Sequence, residues 1–114
     1  MSSGLEIGDI VQSTAGRDRD VHYMVVDVHS SGRVFLADGE VRTLRRPKIK
    51  SERHVRRLRK PQRLALVSRL RAGRAADSEI LAELRGYIHG EGCSSRKHRK
   101  LIADMIPFLE EEAG

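Results

Sequence analysis

Apolar and polar positions alternate in short runs over the first half of the chain, then change to a wider spacing. Residues 7–13, IGDIVQS, begin the alternation after a turn at Gly8-Asp9, and Ile10 and Val11 predict a short strand. The turn-rich loop Ser13 to Asp20 follows, where Gly16 can take positive φ at no steric cost. Val21 to Val28, VHYMVVDV, is the clearest strand pattern. Alternation puts Met24, Val26 and Val28 on one face and Tyr23, Val25 and Asp27 on the other. A hairpin turn around Gly32 leads into RVFLA, with Phe35 assigned to the core. Asp38-Gly39 is a strong hairpin signal, so Glu40 to Leu44 predicts a further strand.

Four or five short strands in the first ~55 residues predict a small SH3-like barrel, because closure protects the edges of so few strands. Beyond it, Leu66, Val67 and Leu70 give a helical stripe between Pro61 and Gly73, and the spacing predicts a helix over Pro61 to Ala72. Asp77 reads as the N-cap of a second helix that carries Ile80, Leu81, Leu84 and Ile88 up to Gly90. After the glycine- and serine-rich joint His89 to Ser95, a third helix is expected to carry Leu101, Ile102, Met105, Ile106 and Leu109. Pro107 is expected to kink or end it. The resulting fold class is α+β: a barrel with a basic arm over 1–57, a helical hairpin over 58–90 and a C-terminal tail over 91–114.

Charge changes this picture most. Arg42 to Arg74 holds fourteen Lys or Arg against the single acid Glu52, whereas the segments on either side are both net acidic. Such polarisation is the electrostatic footprint of a polyanion partner. Arginine outnumbers lysine, which favours bidentate phosphate recognition. Two Phe, two Tyr and no Trp leave little aromatic surface for stacking bases. The single Cys93 excludes an internal disulfide, and the chain has neither a leader-like start nor a run long enough to span a membrane. A cytoplasmic protein with no membrane partner is expected.

No catalytic motif emerges, so no enzyme and no cofactor are expected. His89, Cys93 and His98 match no zinc template, and no metal site is assigned to them. His22, His29 and His54 are scattered.

Several stretches carry a family resemblance. Gly8-Asp9-Ile10-Val11, Ser13, Ala15-Gly16-Arg17-Asp18-Arg19 and the apolar strand to Val28 resemble the KOW motif. Leu36-Ala37-Asp38-Gly39, Arg42, Pro47-Lys48 and His54, then Ala72-Gly73-Arg74 with Asp77-Ser78-Glu79-Ile80, are similar to small bacterial KOW-domain RNA-binding proteins. Those proteins are related to KOW-bearing large-subunit ribosomal proteins of archaea and eukaryotes. The likeness spans residues 7 to about 88. It implies an SH3-like barrel that binds structured RNA, with Gly16 as the motif glycine and Arg17 and Arg19 as its basic positions. Asp20 departs from the pattern by standing where a second glycine is common.

The expected function is therefore non-catalytic RNA binding associated with ribosomal RNA, ribosome assembly or translation. The RNA-binding residues would be Gly16, Arg17 and Arg19 together with an extended arm, Arg42, Arg45, Arg46, Lys48, Lys50, Arg53, Arg56, Arg57, Arg59 and Lys60. The alternative is a protein-interaction module docking on RNA polymerase or ribosomal proteins through the barrel or the C-terminal helices.

Overall fold

The structure, a computed structural model, describes residues 4–90. Five strands form one antiparallel sheet: β1 (Ile10–Ser13), β2 (His22–Val28), β3 (Arg33–Ala37), β4 (Lys48–Ser51) and β5 (Val55–Arg59). Two helices follow, α1 (Leu64–Arg71) and α2 (Asp77–Gly90). The strand order is β4-β3-β2-β1-β5, so β4 and β5 lie at opposite ends of the order although only the 3-10 turn Glu52–His54 separates them in sequence. Across a flat sheet those strands would stand about 19 Å apart, further than the roughly 13 Å that the connecting residues can span. The sheet must therefore curl. Hydrogen bonds fasten the turn on both sides: Glu52 N–H donates to the Gly32 carbonyl (2.9 Å), and Thr14 N–H donates to the His54 carbonyl (2.9 Å).

Each sheet face has its own core. Ile10, Met24, Val26 and Ala37 pack with Leu66 and Leu70 of α1 and with Ile80 and Leu84 of α2. On the other face Val11, Tyr23, Val25, Val34 and Leu36 cluster with Leu5. The helices thus complete the sheet's core, because their apolar stripes would otherwise face water.

Four local expectations are corrected. Val28 packs with Val25 rather than with Met24 and Val26. Val25 pairs with Leu36 and Asp27 with Phe35, so Val26 is an extra residue that reverses the alternation beyond it. Glu40 to Leu44 is not a strand. The Asp38 carboxylate accepts from the Glu40 and Arg42 N–H groups and folds the segment into a loop that crosses to α2. At the helix starts, α1 begins at Leu64, and Pro61 instead lies beside Gly8, whose φ of 98° and missing Cβ allow Pro61 and Val67 to approach.

Asp77 is the first residue of α2, but its Oδ1 accepts from Leu44 N–H (2.8 Å). The reach back from the first turn comes from Glu79, whose Oε1 accepts from Ala76 N–H (3.1 Å). Asp77 therefore joins the 38–47 loop to α2. The third helix expected after Ser95 lies outside the described residues.

Candidate nucleic-acid interface

The basic segment Arg42 to Lys60 is not one extended arm. It is a loop, β4, the 3-10 turn and β5, and the folding sorts its cations into three groups.

The first group points inward. Lys50 Nζ lies 3.0 Å from Asp18 Oδ1 and donates to the Ala15 carbonyl (2.8 Å). Arg57 Nε donates to Oδ2 of the fully buried Asp9 (2.9 Å), and its Nη2 donates to the Gly4 carbonyl. Arg59 Nη2 donates to Glu83 Oε2 (2.8 Å), and its guanidinium stands 5.7 Å from the centre of the Tyr87 ring. Buried ionic partners of this kind are costly to leave alone, so these three cations hold the fold together.

The second group surrounds the β1–β2 loop. Asp18 organises that loop from within: Oδ1 is 3.0 Å from the Ser13 hydroxyl, and Oδ2 accepts from the Tyr23 hydroxyl (2.8 Å). Burial alone would raise the Asp18 carboxyl, but hydrogen bonds from Lys50, Tyr23 and Ser13 outweigh it and hold the group below its ordinary value. The Tyr23 phenol is pushed far up, by burial first and then by its bond to Asp18.

With Asp18 turned in, Arg17 and Arg19 are exposed on either side, and Arg19 Nε donates to the Thr14 carbonyl (3.2 Å). Asp18 is therefore engaged by Lys50, Ser13 and Tyr23, and the exposed Asp20 is the acid that remains at the surface of the loop. Gly16 has φ 86° and Asp20 has φ 74°, the one positive φ at a non-glycine among the described residues. Aspartate tolerates this left-handed geometry better than most residues do. Its main chain is fastened as well: Asp20 N–H donates to the Ser13 carbonyl (2.8 Å), and its own carbonyl accepts from Gln12 Nε2 (3.4 Å).

Next to this loop stand Arg53 of the 3-10 turn and Arg56 of β5, both exposed. The Thr14–His54 bond and the Ser13–Val55 and Gln12–Arg56 pairings bring them there, and Arg56 Nη2 donates to Gln12 Oε1 (2.6 Å). Arg33 is also exposed, opposite Ser51 on the other face of β3 from Val34, and sequence reasoning missed it because it lies outside the basic block. Its place directly after the turn glycine was the only available signal.

The third group is separate. Arg42, Arg45 and Arg46 lie on the 38–47 loop, which is held to α2 by the Leu44–Asp77 bond, and Lys48 opens β4 opposite Leu36. Arg45 and Arg46 are exposed, and Arg42 and Lys48 are half-buried. Lys60 is exposed just past β5.

Among the described residues no cluster of three or more His, Cys, Asp or Glu side chains is arranged to hold a metal ion. Cys93 and His98 lie outside them. No helix of the described residues is long and apolar enough to cross a membrane. No protein-family model matches the chain, and the curated proteins yield no significant match.

Proposed function

We propose that this protein is a non-catalytic RNA-binding protein in which a KOW-type SH3-like barrel, closed by the Glu52–His54 turn, presents the β1–β2 loop to structured RNA. The observation that carries this reading is the sorting of charge around Asp18. The acid of the Arg17-Asp18-Arg19 run is consumed inside by Lys50, Tyr23 and Ser13, which leaves Arg17 exposed on a braced loop with Arg53 and Arg56 nearby. Preorganised arginines lose less entropy on meeting phosphates than arginines on an extended arm. A fixed array selects for RNA shape, because A-form RNA shows proteins its phosphates and 2′-hydroxyls rather than a readable major groove.

The contact is therefore smaller than the basic block. About four phosphates met by this group give roughly a hundredfold loss of affinity between 50 and 200 mM salt. The resemblance to ribosomal KOW-bearing proteins makes ribosomal RNA the first target to test. Titration against structured ribosomal RNA fragments should show that salt dependence, and a flat response would refute electrostatic RNA binding. Ribosome association that survives RNase would instead favour docking on protein.

A further inference from the structure

Each inward cation of the basic segment meets a carboxylate: Lys50 meets Asp18, Arg57 meets Asp9 and Arg59 meets Glu83. Such a pair fixes the cation and also cancels its charge. Arg56 is held differently. Its Nη2 donates to Oε1 of Gln12 (2.6 Å), a neutral amide and its partner across the β1–β5 ladder. The guanidinium is oriented and keeps its charge.

Gln12 is also tied to the loop. On its other side it pairs with His22 of β2, and its Nε2 donates to the Asp20 carbonyl (3.4 Å), which His22 Nδ1 faces as well (3.3 Å). An amide can accept from an arginine and donate to a carbonyl at once, whereas a carboxylate offers acceptors only. Gln12 therefore sets Arg56 in register with the Asp20 corner of the loop that carries Arg17.

We infer that Gln12 is a positioning residue that presents Arg56 to a single phosphodiester group of the RNA. This inference rests on the RNA-binding reading above and names the ligand of one arginine within it. Gln12 is half-buried and Arg56 is exposed, so the anchor sits in the sheet while the guanidinium reaches solvent. The bond to Gln12 uses only part of the guanidinium's donors and leaves a two-nitrogen edge to face the two non-bridging oxygens of a phosphate. Holding that edge before RNA arrives reduces the side-chain entropy lost on binding.

Two measurements test it. Without RNA, NMR of the Arg56 guanidinium nitrogens is expected to show slowed rotation about Nε–Cζ in the unmodified chain and free rotation in Gln12→Ala. Equal rotation in the two would overturn the positioning role. With a structured ribosomal RNA fragment, Gln12→Ala should weaken binding roughly tenfold when Arg56 is present and less than about twofold in an Arg56→Ala background. Arg56→Lys should keep the salt dependence yet lose about tenfold in affinity, because an ammonium lacks the two-nitrogen edge. That variant touches no core residue and keeps the test open should Gln12→Ala lose stability. Gln12→Glu should lower the salt slope by about one, as Arg56→Ala does, because a carboxylate there cancels the charge. Equal losses from Gln12→Ala in both backgrounds, or full affinity in Arg56→Lys, would overturn the inference. A chain whose Arg56 is held but whose RNA binding ignores salt would refute the RNA reading itself, and the phosphodiester ligand with it.

Discussion

Lys50 of β4 and Asp18 of the β1–β2 loop meet at 3.0 Å with only 10% and 15% of their side chains exposed. β4 lies two places from β2 and three from β1 in the strand order, so the shape of the candidate RNA loop depends on the sheet being curled. Lys50→Met should leave the Asp18 charge without its cation and cost about 3 kcal/mol. Tyr23→Phe, which removes one bond to a charged acceptor, should cost about 1.5–3 kcal/mol. Urea unfolding of both variants measures this, and a Lys50→Met protein with unchanged stability would contradict the bracing role.

Stability should also depend on pH in three separate windows. His22 is held below 6.5 by burial and by the nearby Arg56, so the unfolded chain takes up its proton first. Its contribution is complete above 6.5 and declines as pH falls below that value. Asp18, held below 3.8, contributes fully above that value and loses the contribution as pH falls through its lowered folded value. Tyr23, raised above 10.0, contributes below that pH and loses the contribution as pH rises past it. Urea midpoints across pH should show all three, with His22→Gln flattening only the first and Tyr23→Phe removing the alkaline loss.

Two loop glycines should respond unequally to alanine. A Cβ at Gly39 would stand 2.3 Å from the Asp77 carbonyl oxygen on a backbone with φ 82°, whereas one at Gly73, φ 70°, meets nothing within 4 Å. Gly39→Ala should cost roughly 2–5 kcal/mol, because steric overlap adds to left-handed strain, and Gly73→Ala about 1–2 kcal/mol from strain alone. Thermal unfolding of the two variants compares them directly.

Asp20 offers a test of loop geometry against charge. Asp20→Gly keeps the φ of 74° accessible and removes an exposed negative charge beside Arg19, so RNA affinity should rise while the fold is retained. Asp20→Val should cost about 1–2 kcal/mol of stability. Parallel unfolding and RNA titrations separate the two effects.

Exposed and inward cations should separate in the same way. Arg17→Glu/Arg53→Glu should weaken RNA binding with little change in melting temperature. Arg57→Met should lower the melting temperature by stranding the buried Asp9 carboxylate. Equal stability losses in both would remove the distinction between the two groups.

Sequence periodicity determined the first three strands, both described helices and their buried faces, because local alternation and helical spacing act within a few residues. Ile10, Met24, Leu66, Leu70, Ile80 and Leu84 were all legible in this way. The second half of the sheet was not. In KIKS and VRRLR the cations obscure the β pattern; β4 forms as the neighbour of β3, and β5 forms because the curl brings it to β1. The basic block was equally visible as charge, yet composition assigns a cation no direction. Only the tertiary structure decided that Lys50, Arg57 and Arg59 turn toward Asp18, Asp9 and Glu83 while Arg17, Arg53 and Arg56 stay at the surface. The physical reason is that a carboxylate withdrawn from water must be matched, and its nearest cation in space can lie far away in sequence.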